Sequence, residues 1–281
     1  MPGRIKKIAC GRSANAAIEA ETGQLLTWGW DECGELGRGI VQDERDSVLK
    51  KVNRPDGGGF DRVLDKDLIV DRFLTPKPVQ WPTKQKMVCL SVACGEYHLI
   101  CAARSYGSYD SAAYSTGVNG HGQLGHGNVE PLNTLKLIEQ SVGMHITQVA
   151  AGEYHSLFLD ITGLHLWSCG RSDSGQLGIT DTVPEPDSKV TTLEPVYFEH
   201  AIQPIVKIVG GGNSSMALTM DGNVYGWGFA QEGALGLGFD GESYGVEARP
   251  RRLEKLPEKG MCIDVALGSQ HSIFLLDTTT E

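Results

Sequence analysis

The sequence has no long apolar run and little positive charge. No stretch reaches the roughly 18 apolar residues that cross a bilayer, and residues 1–10 lack the apolar segment of a secretory signal peptide. Lys and Arg number 25 against 35 Asp and Glu, which gives a net charge of −10. Nucleic acid and membranes are therefore not expected partners, because both attract concentrated positive charge. We expect an intracellular protein, cytoplasmic or nuclear.

The number of prolines and the spacing of the cysteines exclude several other classes of protein. The 12 prolines exclude collagen and proline-rich disorder. The seven cysteines are an odd number, and their spacing contains no C-x2-C pair of the kind that binds zinc. We expect reduced and mostly buried thiols, with no metal site. Glycine is the residue in excess, with 36 among the 281 residues.

The first of two repeated motifs is a short apolar segment that ends in glycine. A second apolar run follows each copy about three residues later. The copies lie at residues 8–11, 92–95, 149–152, 208–211 and 265–268. Three of them are followed by a histidine at the matching place, namely His98, His155 and His271. A recurring pattern of this kind predicts a repeat architecture.

The second motif lies between copies of the first and ends in Gly-x-Leu-Gly. It occupies residues 28–37, 116–125, 168–178 and 227–236. The later copies are spaced at a period of about 55 residues, whereas the first interval is longer. The difference predicts an insertion within the first repeat at residues 41–75, which carries dense mixed charge. Two interpretations are open for this insertion, a solvated loop or a partner-binding loop.

Each repeat is predicted to form a four-stranded antiparallel blade. The apolar runs are short, alternating and rich in Val, Ile, Leu and Trp, which suits half-buried strands. Turn signals at 21–24, 161–164 and 220–223 join neighbouring runs into hairpins. One such sheet cannot bury both of its faces, but sheets arranged around an axis can. We therefore predict an all-β fold, a β-propeller with about five visible repeats in a single domain over residues 1–281.

The two motifs together resemble the repeats of the regulator of chromosome condensation family. The patterns that carry the resemblance are (V/I)-x-(C/A)-G-x-x-H and W-G-x-x-x-x-G-Q-L-G, and they recur over nearly the whole chain. The resemblance implies a propeller with seven blades as the family norm, so about five visible repeats imply an incomplete or atypical ring. It leaves function open, because the family includes a nucleotide exchange factor for the GTPase Ran, scaffolds, ubiquitin-ligase domains and ultraviolet-B photoreceptors.

No catalytic, cofactor or metal site is predicted. Residues 120–125 match G-x-G-x-x-G, but no helix signal follows them, so a turn is predicted there and not a dinucleotide site. The recurring histidines occur once per repeat and are expected to be structural, each bonding a backbone carbonyl of its own blade. The predicted function is that of a non-catalytic scaffold for protein partners. The alternative is guanine-nucleotide exchange on a Ran-like or other small GTPase, by a monomer or a part of a larger complex.

Candidate partner-facing residues lie in the loops between the Trp-Gly and Gly-x-Leu-Gly positions of the second motif. Polar and acidic side chains in these loops would project from one face of a propeller, where partners commonly bind. The residues are Asp31, Glu32, Asn119, His121, Asp173, Gln231 and Glu232. The competing interpretation is that they are ordinary solvated turn residues.

Overall fold

The regular secondary structure of the described part of the chain is almost entirely β-strand. The structure is a computed structural model. It describes residues 3–31, 33–39, 49–53, 60–64, 74–180, 182, 184–200, 202–230, 233–237, 245–254 and 260–279, with the backbone alone for 49–53 and 60–64. Within these residues, no helix combines the length and the apolar character that a membrane crossing requires.

Sheet 1 contains four antiparallel strands, and the predicted insertion lies between the third and the fourth of them. Its strands, in order across the sheet, are β1 (Ile5–Cys10), β2 (Ala14–Glu19), β3 (Leu25–Gly29) and β6 (Lys77–Pro78). Between β3 and β6 the chain forms an antiparallel pair, β4 (Leu49–Asn53) and β5 (Phe60–Leu64). Both strands fall within 41–75, of which residues 41–48, 54–59 and 65–73 lie outside the described part. A partner-binding role for this insertion stays a prediction.

Sheets 2, 3 and 4 each use four consecutive antiparallel strands. Sheet 2 contains β7 (Met87–Cys94), β8 (His98–Ser105), β9 (Ser111–Gly117) and β10 (Leu132–Leu137). Sheet 3 contains β11 (Ile146–Ala151), β12 (His155–Asp160), β13 (Leu166–Arg171) and β14 (Lys189–Pro195). Sheet 4 contains β15 (Ile205–Gly211), β16 (Ser214–Thr219), β17 (Val224–Phe229) and β18 (Val246–Arg252). A short 3-10 turn, Glu139–Ser141, joins sheets 2 and 3.

Sheet 5 contains two strands, β19 (Met261–Leu267) and β20 (Ser272–Asp277). Across the described residues, the four-stranded sheets and this two-stranded sheet correspond one to one with the five copies of the first motif and the four copies of the second. The predicted all-β architecture of four-stranded blades is therefore confirmed.

Four apolar cores lie between successive sheets, one at each interface. Each core draws side chains from both of its sheets. The core between sheets 2 and 3 contains Ile100 and Phe158, and the core between sheets 3 and 4 contains Leu157 and Trp227. Strand β12 lies between two neighbouring sheets, so all six of its residues are buried. This two-sided burial explains why the second strands are short and nearly continuous apolar runs.

Two of the recurring histidines bridge neighbouring sheets. His98 Nε2 lies 3.0 Å from the Oγ of Ser156 in sheet 3, and His155 Nε2 lies 2.8 Å from the Oγ of Ser215 in sheet 4. Ser156 Oγ donates its proton to the carbonyl oxygen of Gln123 at 2.7 Å, so it accepts from the histidine. The predicted structural role is confirmed for His98 and His155. The predicted bond to a carbonyl of the same blade is wrong, because the ring reaches a hydroxyl of the next sheet.

Candidate partner-binding face

The turns after the first strands and the loops after the third strands lie at the same end of the sheets. In each antiparallel sheet the second strand runs away from the first turn and the third strand returns to it. In sheet 2, for example, the turn at residues 95–97 and the loop that follows Gly117 are joined by the backbone bond from Val118 N to the Tyr97 carbonyl, 2.8 Å. Side chains from both segments therefore share one face of the fold.

Loops of the second motif are held in shape by a recurring amide or carboxylate side chain. Gln123 Oε1 accepts from the backbone N–H of His121 at 3.0 Å, and Gln176 Oε1 accepts from that of Ser174 at 2.8 Å. Glu35 occupies the same position in sheet 1, where its Oε2 accepts from Cys33 N at 2.7 Å. All three of these side chains are buried. The Gln of Gly-Gln-Leu-Gly is therefore a structural residue of the loop.

The predicted residues Asp31 and Asn119 occupy equivalent positions, and each forms a hydrogen bond within its own loop. Asp31 Oδ1 accepts from Leu36 N at 3.1 Å, and Asn119 Oδ1 accepts from Leu124 N at 3.0 Å. Asn119 is fully buried, and its Nδ2 donates to the Asn128 carbonyl at 2.9 Å. Asn119 is thus misplaced in the predicted set, because a buried amide that closes its own loop presents no surface to a partner.

The predicted residues His121 and Asp173 lie close to the turns at the centre of the face. The partly exposed ring of His121 lies 4.9 Å from the ring of Tyr154, measured between centroids. Burial lowers the pKa of His121, and the charges of Arg171 and Lys189 add to this effect. Asp173 accepts from Arg171 Nε at 2.8 and 2.9 Å. Burial acts to raise the pKa of Asp173, but the hydrogen bond and charge of Arg171, together with hydrogen bonds to Asp187 and Gln176, lower it overall.

Glu32, Gln231 and Glu232 lie outside the described residues. Their roles stay predictions.

Charged and aromatic side chains from three successive sheets meet at the first turns. We call this group the turn cluster and define it as Arg12, Glu96, Tyr97, Glu153 and Tyr154. Arg12 forms an ion pair with Glu96, and its guanidinium lies 5.2 Å from the centroid of the Tyr97 ring. The Glu96 backbone N–H donates to the Glu153 carbonyl at 3.2 Å, which ties the second turn to the third.

The two glutamates of the turn cluster interact with each other. Burial raises the pKa of Glu153, and both the hydrogen bond and the negative charge of Glu96 raise it further. The charge of Arg171 and a hydrogen bond from Tyr154 act in the opposite direction. Burial also raises the pKa of Tyr154, followed by the charges of Glu96 and Glu153. The cluster is therefore negative around Tyr154 and positive at Arg12.

A cavity of about 370 Å³ opens among the same turns. Turns from all five sheets contribute glycines to its lining, namely Gly11, Gly95, Gly152, Gly211 and Gly268. Little room exists for side chains at these positions. A Cβ added to Gly152 would lie 2.8 Å from the Gly212 carbonyl oxygen, and one added to Gly211 would lie 2.4 Å from that of Gly268. The recurring glycines thus let successive sheets approach one centre.

The sequence prediction missed the turn cluster. One signal was available, because Gly-Glu-Tyr-His occurs identically at 95–98 and 152–155. A glutamate and a tyrosine at a solvent-facing turn are not required for packing, so their repetition is a sign of surface use. The contribution of Arg12 had no comparable signal, since it is 84 residues from Glu96 in the chain.

Known proteins are similar to this chain in both sequence and structure. The chain is 29% identical over 242 residues to the ultraviolet-B receptor UVR8 of Arabidopsis thaliana, a match that covers 84% of this chain and 44% of the receptor. It is 33% identical over 208 residues to the protein RCC2 homolog of Xenopus laevis, covering 66% of this chain and 38% of that protein. The chain thus spans less than half the length of these two relatives.

Solved propellers of similar structure cover almost the whole chain. Prp20p of Saccharomyces cerevisiae matches with a TM-score of 0.70 and 25% identity over 98% of this chain and 56% of its own. Human WBSCR16 matches with a TM-score of 0.72 and 22% identity over 98% of this chain and 60% of its own, which supports the fold alone.

The family described as "Regulator of chromosome condensation (RCC1) repeat" matches residues 110–159, 165–218 and 221–275. A second family model of the same description matches residues 146–176. The three longer matches cover more than half of the chain and fall on sheets 2 to 5. This chain therefore belongs to the family of RCC1-repeat proteins.

Proposed function

We propose that this chain is a non-catalytic scaffold that binds a protein partner through the turn cluster, with His121 and Asp173 at its edge. The observation that carries the proposal is the meeting of Arg12, Tyr97 and Tyr154 with two glutamates at one partly exposed site. Arginine and tyrosine are the side chains that dominate the binding energy of many protein interfaces. Three sheets support the cluster, so a partner would meet an ordered surface.

Similarity to a known binder supports a protein as the partner. The solved structure of Prp20p was described together with its binding to Gsp1p and histones. A propeller of related sequence and fold therefore uses protein partners. For this chain we propose partners of the same general kind and leave their identity to experiment.

The alternative function is guanine-nucleotide exchange on a small GTPase. The similarity to Prp20p favours this alternative over other activities. Exchange needs no covalent chemistry, because a surface that binds the nucleotide-free GTPase more tightly than the loaded form shifts the equilibrium toward release. The two functions differ in whether bound nucleotide weakens the binding of the partner to this chain.

A pull-down with two nucleotide conditions and two matched variants tests the proposal. The purified chain is incubated with cytoplasmic and nuclear lysates, once with EDTA and once with Mg²⁺-GTP, and bound proteins are identified by mass spectrometry. Tyr154→Ala removes a ring from the turn cluster. Tyr109→Ala removes a tyrosine that is 89% exposed in the turn between β8 and β9, at the opposite end of the sheets.

We expect Tyr154→Ala to release the partners and Tyr109→Ala to retain them. Partners held equally in both nucleotide conditions support the scaffold. A small GTPase enriched in EDTA alone supports the exchange factor. Equal capture by wild type and Tyr154→Ala would show that the turn cluster is not the working surface.

A further inference from the structure

The turn cluster contains two notches with the same backbone geometry. In each turn, the glycine N–H donates to a carbonyl three residues later: Gly11 to Ala14 and Gly95 to His98 at 2.8 Å, and Gly152 to His155 at 3.0 Å. The residues that follow these glycines are therefore equivalent from sheet to sheet. The first notch lies where the turn of sheet 1 meets that of sheet 2, and the second where the turn of sheet 2 meets that of sheet 3.

The first notch is already filled by a cation of the chain itself. Arg12 of sheet 1 lies over the ring of Tyr97 and pairs with the carboxylate of Glu96, both in the turn of sheet 2. An aromatic face and a carboxylate together bind a guanidinium in two ways, through the ring quadrupole and through charge. The first notch therefore shows that a tyrosine and a glutamate in these turns can bind a guanidinium group.

The second notch has an equivalent tyrosine and glutamate but no arginine of the chain between them, and the ring of His121 lies 4.9 Å from that of Tyr154. Tyr154 and Glu153 of sheet 3 stand where Tyr97 and Glu96 stand one repeat earlier. The position of Arg12 is taken by Glu96, so a negative charge faces the negative Glu153. This like-charge contact is one cause of the raised pKa of Glu153. The notch therefore has an aromatic wall and a surplus of negative charge.

Among the described carboxylates of the turn cluster, Glu153 is the one that forms no ion pair. Arg12 is paired with Glu96, and Arg171 is paired with Asp173 at 2.8 Å. Among the described residues, no basic side chain forms an ion pair with Glu153. At the next repeat the equivalent residues are Gly212 and Asn213, which supply neither a ring nor a charge.

We propose that the second notch binds an arginine side chain of the protein partner, with its guanidinium over Tyr154 and against Glu153, as Arg12 lies over Tyr97 and against Glu96. Arginine is favoured over lysine because its planar guanidinium both stacks on a ring and donates to a carboxylate. This inference rests on the proposed scaffold function and names the chemistry of the partner.

A peptide probe tests the notch without the natural partner. The full chain, labelled with nitrogen-15, is titrated at low salt with tri-arginine and, separately, with tri-citrulline, and backbone amide shifts are followed by NMR. Citrulline keeps the shape of arginine but carries no charge. We expect tri-arginine to shift the amides of Glu153 and Tyr154, and tri-citrulline to leave them nearly unchanged.

Two matched variants separate the notch from general attraction to an acidic protein. Glu153→Gln removes the charge of the notch and keeps its shape. Glu130→Gln makes the same change at an exposed glutamate of the loop between β9 and β10. We expect tri-arginine to bind Glu153→Gln about threefold to tenfold more weakly than wild type, and to bind Glu130→Gln as wild type does.

Several outcomes would overturn the proposal. One is equal binding of the two peptides, and another is an equal loss of affinity in both variants. A third is arginine-dependent shifts that avoid residues 153 and 154. Failure of the notch can be told from failure of the scaffold function. If Tyr154→Ala releases natural partners but Glu153→Gln does not, the scaffold stands and the arginine site is wrong.

Discussion

The interface between sheets 1 and 2 differs from the two interfaces that follow it. Between sheets 2 and 3, and again between sheets 3 and 4, a buried histidine meets a buried serine of the next sheet. Between sheets 1 and 2, the matching positions hold Ala14 and Leu99, and both are buried. The repeats therefore pack with either a polar pair or an apolar pair at the same place.

At these three interfaces the histidine and the serine are either both present or both replaced by apolar residues, and the cost of burial explains why. A histidine without its serine, or a serine without its histidine, would leave a polar atom in the core with one partner fewer. Replacing both with apolar side chains removes that penalty, because nothing polar is left to satisfy. At these three interfaces, the two residues of a contact between sheets therefore vary together and not one at a time.

The largest expected effect comes from the glycine beneath the histidine ring. A Cβ on Gly152 would lie 2.0 Å from His155 Cε1 and 2.8 Å from the Gly212 carbonyl oxygen. Gly152→Ala should therefore lower the free energy of unfolding by about 3–4 kcal/mol, measured by urea denaturation. Gly120→Ala is the control, since no heavy atom would lie within 4 Å of its Cβ. Equal stability of the two variants would contradict the close packing of the ring.

The next effect comes from loss of the histidine itself. His155→Ala empties a fully buried site and removes one partner of Ser215 Oγ. We expect a loss of about 2–3 kcal/mol in the free energy of unfolding. Adding Ser215→Leu reproduces the apolar combination of sheets 1 and 2 and should recover part of that loss. If the double variant is less stable than His155→Ala, the apolar pair does not transfer between interfaces.

Acid should weaken the histidine interfaces selectively. Burial lowers the pKa of His98 to about 4 and that of His155 to about 3. The unfolded chain, with an ordinary histidine pKa of about 6.5, binds the proton more readily, so stability present above about pH 6.5 is lost as the pH falls. Each histidine should contribute a slope of about 1.4 kcal/mol per pH unit between about pH 6 and its folded pKa.

The variant His155→Gln isolates this slope, because glutamine does not titrate. Urea denaturation of wild type and variant at pH 7, 6 and 5 measures the difference in stability at each pH. The difference should shrink as the pH falls, since wild type loses the advantage of its neutral ring. A difference that stays constant with pH would show that the folded ring keeps an ordinary pKa.

The smallest expected effect is the transfer of the polar pair to sheets 1 and 2. Ala14→His together with Leu99→Ser places a histidine above Gly11, the equivalent of Gly152. Each single change should destabilise the protein, because it brings an unmatched group into the core. In a double-mutant cycle the two changes should couple favourably by about 1 kcal/mol. A coupling energy of zero would mean that the pair depends on features peculiar to sheets 2 to 4.

The sequence was sufficient to predict the strands, but it did not predict the direction in which the side chains of the loops point. The five glycine-terminated runs and the four Gly-x-Leu-Gly loops correctly predicted the sheets. The loop residues were harder, because a polar residue in a turn can face solvent or close the turn. Asn119 closes its loop and is buried, whereas His121, two residues later, is partly exposed. No local pattern separates these two outcomes, since the backbone path of the loop decides them.

What the sequence determined by itself is the repeat, because hydrophobic alternation and turn glycines act over a few residues. Contacts between repeats were decided by the tertiary structure. Arg12 reaches Glu96 and Tyr97, and His155 reaches Ser215, only because successive sheets stand side by side around the same centre. Such pairs are about one repeat or more apart in the chain, where no local propensity acts. Packing of one sheet against the next is the physical step that creates both the histidine interfaces and the turn cluster.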